Sequence, residues 1–234
     1  MIRFRIRQCG EVGGLEEGDF ELDGVTFAAA EIALEFLDPA GGDTEDGAGE
    51  AAMFPTGRGI DRITVPDLGS MEATLITAGL PTIYVDAASL GLAGAELQRD
   101  VNGDLELLAR VEAIRSHASV LFGLTKTAEE STATRPHTPK VAFVAPARSY
   151  VAADGRNVDA GSIDLVARIF SMEQLHDAIT GTGAISLAVA SAIPGNLVSR
   201  LAGPRAGGRV RVGHPSGRIV VGAEAIERDG TGIV

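Results

Sequence analysis

Apolar and polar residues alternate strictly from Met1 to Arg7, where Ile2, Phe4 and Ile6 are separated by arginines, and this pattern predicts a strand. Glu31 to Leu37 repeats it with Ile32, Leu34 and Phe36 on one face, after a turn-rich stretch containing Gly13-Gly14, Gly18 and Asp23-Gly24. Short strands follow at Ile60 to Val65, Met71 to Thr77 and Thr82 to Asp86, and a buried one at Val141 to Ala145. Near the end, Arg209 to Val212 and Arg218 to Val221 alternate on either side of Gly213-His-Pro-Ser-Gly217, which predicts a hairpin with that loop at its tip. Helical spacing is clearest where Leu107, Val111, Ile114, Ala118 and Leu121 form one stripe. Asp104 and Glu106 suit its first turn, Glu106 is spaced to pair with Arg110, and Gly123 terminates it. Ser162 is placed to cap a second helix with Ile163, Val166, Ile169 and Phe170 on its apolar face. A third, Ala184 to Ile193, is apolar all round and stops at Pro194-Gly195, so it belongs inside a core. Many short strands with a few separate helices predict an α+β architecture, a curved mixed sheet or barrel around a buried central helix.

Composition narrows the function classes. The chain has 234 residues, 45% of them hydrophobic, enough for a sizeable core in one or two domains. A net charge of −12 argues against a nucleic-acid surface, and any acidic substrate must be held by local donors. No apolar run approaches the roughly 20 residues a bilayer needs, and the N-terminal alternation lacks the order of a secretion signal, so the expected setting is cytoplasmic with no membrane contact. The single Cys9 rules out an internal disulfide, and four scattered histidines offer no metal-ligand spacing. The acidic, glycine-rich run from Pro39 to Glu50 reads as a solvated surface loop. His137, between two prolines, reads as structural, and Lys126 as solvated.

Candidate chemistry gathers at two loops. In Thr180-Gly-Thr-Gly183 a glycine-rich turn leads into the apolar helix, whose first N–H groups lack internal partners and favour an anion. The competing reading is that Gly181 and Gly183 simply let a core helix pack closely. A dinucleotide loop is rejected, because Ser186 stands where a third glycine belongs. The second loop, Gly213 to Gly217, adds backbone N–H groups, the Ser216 hydroxyl and the His214 ring. With Thr182, the two loops present donors suited to a small carboxylic acid.

Gly18-Asp-Phe-Glu-Leu-Asp-Gly-Val25, Met53-Phe-Pro-Thr-Gly57, Ala78-Gly-Leu-Pro-Thr-Ile-Tyr84, His137-Thr-Pro-Lys-Val-Ala-Phe-Val-Ala-Pro146 and Gly213-His-Pro-Ser-Gly217 together resemble the PrpF family. The resemblance implies a diaminopimelate epimerase-like fold of two similar halves. It also implies cofactor-free isomerisation of unsaturated di- and tricarboxylates, 2-methylaconitate of the methylcitrate route for propionate foremost. On this resemblance residues 1–17 are a remnant of a first domain, and residues 18–234 are the second, with its C-terminal end cut short. The family's catalytic lysine and cysteine belong to the first domain. Cys9, in Arg-Gln-Cys-Gly-Glu, lacks the family's setting, so no catalytic residue carries over. Thr180, Gly181, Thr182, Gly183, His214, Ser216 and Gly217 are the implied substrate-binding residues, and the partner of the chain is a second copy or a chain supplying the missing half. Thr77 and Arg58 replace asparagines usual in the family, and Thr180 a cysteine or methionine. These leave 2-methylaconitate, 4-oxalomesaconate and methylitaconate types open as substrates, beside a non-catalytic carboxylate-binding or accessory role.

Overall fold

Strand-forming patterns dominate the computed structural model, which describes residues 2–6, 18–37, 39, 53–204, 208–224, 226–228 and 231–233. In chain order the elements begin with β1 (Ile2–Ile6), β2 (Ile32–Phe36), β3 (Asp61–Val65), β4 (Gly69–Ala78) and β5 (Leu80–Asp86). Next come helices α1 (Gln98–Val101), α2 (Leu105–Leu121) and α3 (Ala128–Thr134), then β6 (Lys140–Pro146), β7 (Tyr150–Val151) and β8 (Asn157–Val158). The chain continues with β9 (Leu165–Ser171), β10 (Gln174–Leu175), α4 (Gly181–Ala192) and α5 (Leu197–Ala202). It ends with β11 (Arg209–His214), β12 (Gly217–Gly222), β13 (Ile226–Arg228) and β14 (Thr231–Ile233).

The main sheet has the order β12-β11-β9-β6-β5-β4-β3, with β10 beside β9. It is mixed, since β5 runs parallel to β6 and β9 parallel to β11 while the other neighbours are antiparallel. Central strands such as β6 and β9 are buried on both faces and are mainly apolar, β9 interrupted by Arg168, whereas the terminal strand β3 alternates buried and exposed residues. β1 and β2, each predicted as a strand, pair antiparallel with each other, Ile2 opposite Phe36 and Ile6 opposite Ile32.

Each face of the sheet carries its own core. On one, the α2 stripe of Leu107, Val111, Ile114 and Ala118 packs against Ile63, Leu75, Val85 and Phe143. Leu121, the expected last member, is 40% exposed. Asp104 caps α2 by accepting from Leu107 N at 2.9 Å, and Gly123 follows in the left-handed region with φ 72°. Arg110 bonds the Leu90 carbonyl rather than pairing with Glu106. On the other face, Leu187, Ala188 and Val189 of α4 pack with Ile76, Val144, Leu165, Ile169 and Val212. Burying each large apolar side chain contributes roughly 1.5–3 kcal/mol. Because α4 touches β4 and β5 as well as β11 and β12, strands from opposite parts of the sheet order, the sheet curves around it. This is the α+β arrangement of a mixed sheet around a buried helix. Of the described residues, no helix is long and apolar enough to cross a membrane.

One expected helix is a strand. Ser162 ends a short turn of 3-10 helix that is capped by Asp159, and Leu165–Ser171 is β9, paired with β6 and β11. The run Leu-Val-Ala-Arg-Ile-Phe is apolar on both faces apart from Arg168, and such a run satisfies a central strand as well as one side of a helix. Pairing on both edges decides in favour of the strand. The acidic run 40–50 and Cys9 lie outside the described residues.

Candidate functional site

Thr180 is the N-cap of α4, extended at φ −68° and ψ 149°, and its Oγ1 accepts from Gly183 N at 3.2 Å. The Thr180 carbonyl accepts from Ala184 N. Two of the leading N–H groups of the helix are thus taken, and a ligand at this end would meet those of Gly181 and Thr182. The two glycines differ in what they do. A Cβ on Gly183 would lie 2.5 Å from Ile169 Cδ1 and 2.7 Å from Thr180 Oγ1, so close packing explains that glycine. A Cβ on Gly181 would meet nothing within 4 Å, and this exposed residue keeps an open approach to the helix start.

Other motifs converge on the same end. The turn between β4 and β5 places Gly79, at φ 76°, 3.7 Å from the Thr182 carbonyl when given a Cβ. Thr77 N donates to the Met53 carbonyl, which ties the Met53-Phe-Pro-Thr-Gly57 loop to β4, and Phe54 packs into the α4 core with Ile179 and Ile185. Within that loop, Thr56 and Arg58 both bond the buried Asp61 carboxylate, at 2.7 and 2.8 Å. The buried Tyr84 hydroxyl lies 3.5 Å from the Gly183 carbonyl, and burial pushes its pKa upward.

The predicted hairpin forms, with His214 opposite Gly217 and Pro215-Ser216 as the turn. Ser216 Oγ donates to the Asp177 carbonyl at 2.6 Å, three residues before the α4 cap, so the two predicted loops are joined. His214 is 2% exposed, and its Nδ1 accepts from Ser216 N at 3.3 Å. Burial, reinforced by the Arg168 charge, lowers its pKa to about 4, leaving a neutral ring at neutral pH that shapes the loop and is a weak base. Gly217 is held at φ 135° with Asp23 packed against it, and Arg218 N donates to Asp23 Oδ2 at 2.8 Å. Arg156 meets the Asp23 charge at 3.2 Å.

Residues that sequence reasoning missed lie behind this hairpin. Tyr150 is 8% exposed, and its hydroxyl bonds the His214 carbonyl at 2.8 Å and that of Gly217. Arg168, fully buried on β9, has its guanidinium carbon 5.1 Å from the Tyr150 ring centre and donates to the Glu96 and Gly213 carbonyls. The one available signal was an arginine inside an otherwise apolar run. Among the described residues, no group of three or more His, Cys, Asp or Glu is placed to hold a metal.

Comparison with known proteins places this geometry in context. The chain is 50% identical over 215 residues to 2-methyl-aconitate isomerase of Shewanella oneidensis, covering 92% of this chain and 53% of that protein. It is 51% identical to the enzyme of the same name from Cupriavidus necator over 92% of this chain and 53% of that one. A 3-methylitaconate isomerase of Eubacterium barkeri is 31% identical over 91% of this chain and 54% of its own length. The chain therefore spans about half the length of the curated relatives it matches. The crystal structure of a methylitaconate-delta-isomerase superposes with a TM-score of 0.85 at 29% identity, over 99% of this chain and 58% of that one. The family described as PrpF protein matches residues 8–233, and the chain belongs to it.

Proposed function

We propose that this chain is the carboxylate-binding part of a cofactor-independent isomerase of unsaturated di- and tricarboxylates, with 2-methylaconitate as the substrate and cis-trans isomerisation by proton transfer as the reaction. The observation that carries the reading is the Ser216 bond to the Asp177 carbonyl, which brings the Gly213–Gly217 tip beside the start of α4. About 50% identity to proteins named 2-methyl-aconitate isomerase favours that substrate. The relatives acting on methylitaconate and oxalomesaconate, by their names, stand near 31%.

In this reading Gly181 and Thr182 offer N–H groups and the Thr182 hydroxyl to a carboxylate, with Thr180 and Gly183 shaping the turn. Ser216, Gly217 and the neutral His214 form the facing wall. Proton abstraction next to an unsaturated acid spreads negative charge onto a carboxylate, and fixed donors around that charge are worth roughly a hundredfold or more in rate each. His214 is a weak base at the pKa its burial imposes. The PrpF resemblance puts the proton-moving base and acid on a first domain, so in this reading they come from outside residues 18–234, which form one domain of a two-domain cytoplasmic enzyme, through a longer protein, a second copy or a partner chain.

Two measurements on the purified, folded chain test this. Calorimetry with trans-aconitate should detect binding that Thr182→Val and Ser216→Ala each weaken; absence of binding by the parent chain would sink the proposal. Proton NMR of 2-methylaconitate in heavy water should show no exchange catalysed by these residues alone. Deuterium entering the substrate would place the base and acid among them.

A further inference from the structure

A loop that binds a carboxylate must keep its own carbonyl oxygens away from the anion, because each carries partial negative charge. In the hairpin tip four carbonyls are committed to donors from elsewhere in the fold. Gly213 O accepts from Arg168 at 3.3 Å and Pro215 O from Ala153 N at 2.9 Å, while His214 O, at 2.8 Å, and Gly217 O share the single Tyr150 hydroxyl proton. Tyr150 belongs to the core on the α2 face of the sheet, whereas α4 lies on the opposite face. A Cβ on Gly213 would sit 3.0 Å from the Tyr150 ring, so the tip rests directly on this tyrosine.

Arg168 completes the backing. It is fully buried, its Nε donates to the Glu96 carbonyl at 2.6 Å, and its second terminal nitrogen has no hydrogen-bond partner. Burying a guanidinium without a bonded carboxylate is costly, so packing alone does not account for an arginine here. Its positive charge stands beside Gly213 in a region of low dielectric, where attraction for an anion on the other side of the tip is weakly screened.

Resting on the carboxylate-site reading above, we propose that Tyr150 and Arg168 are positioning residues for substrate binding. Together they hold the Gly213, His214 and Gly217 carbonyls of the hairpin tip turned away from the ligand and set a buried positive charge behind it, without touching the ligand.

The test uses Tyr150→Phe, which keeps the ring against Arg168 and removes only the hydroxyl. Ser119→Ala is the control, a buried hydroxyl on α2 bonded to Thr125 and remote from the loops. Trans-aconitate affinity is measured by calorimetry where all variants are fully folded, together with urea unfolding and amide hydrogen exchange. Both variants should lose stability. Only Tyr150→Phe should weaken binding, by about tenfold, and speed exchange at Ser216 and Gly217 by a similar factor. Arg168→Met, if folded, should weaken binding at least as much. Unchanged affinity and exchange in Tyr150→Phe would overturn the proposal, as would an equal loss of affinity in Ser119→Ala. If the parent chain does not bind trans-aconitate, the carboxylate-site reading fails. Amide exchange in Tyr150→Phe then decides whether the tip is held as described.

Discussion

His214 makes the stability of the chain depend on pH in a way that can be worked from its surroundings. Its ring is 2% exposed, and burial together with the Arg168 charge lowers its pKa from 6.5 to about 4. In the unfolded chain the ring takes a proton as pH falls through 6.5, while in the folded chain it stays neutral until about 4. The unfolded state therefore binds more protons in this window. Stability from His214 is complete above pH 6.5 and is lost as pH falls toward 4, below which both states are protonated and the loss stops. At about 1.4 kcal/mol per unit the full loss is about 3 kcal/mol, a large fraction of the stability of a typical domain. Carboxylates titrate nearby in pH, so the measurement is a difference. Urea unfolding is followed from pH 7.5 to 4 for the parent and for His214→Gln, whose amide oxygen can still accept from Ser216 N. The parent should lose about 3 kcal/mol more than the variant across the window, with the divergence starting near pH 6.5. Parallel curves would mean that the ring is protonated or exposed in the folded protein, and the neutral-loop assignment would fall.

Three further outcomes follow from packing and capping. Gly183→Ala should destabilise by about 1–3 kcal/mol in urea unfolding, because the new methyl meets Ile169 and displaces the Thr180 cap. Adding Ile169→Val, which removes the Cδ1 in contact, should recover part of that loss. Asn196→Ala should cost about 2–4 kcal/mol by thermal or urea unfolding, since this fully buried amide caps α5 and donates to the Ala190 and Ile193 carbonyls at 2.7 and 2.6 Å. Arg115→Met should cost about 3 kcal/mol and loosen α3 in hydrogen exchange, because Arg115 ties Glu112 to Ser131, Arg135 and Thr138.

Local patterns carried much of this protein by themselves. Alternation marked β11 and β12, because a strand with one wetter face writes its period into neighbouring residues, whereas in β2 the alternating Ile32 and Leu34 are the exposed side chains. The stripe from Leu107 to Ala118 marked α2, because burial on one side is periodic along a helix, and the all-apolar run after Gly183 marked α4 by its length, its glycine-rich start and its Pro194-Gly195 stop, since a helix apolar all round belongs in a core. Both candidate loops were visible as glycine-rich breaks. What local pattern could not decide was β9, since an apolar run buried on both faces has no period to read, and only pairing with β6 and β11 settles it. The site depended still more on tertiary structure. Asp177 and Ser216 are joined across 39 residues, and Tyr150 and Gly217 across 67. Such contacts leave no local signature, because the partner of a hydroxyl is chosen by how the sheet folds and not by the residues beside it. For the same reason the buried Arg168, an anomaly in the sequence, acquires a role only when Tyr150 and Gly213 are seen against it.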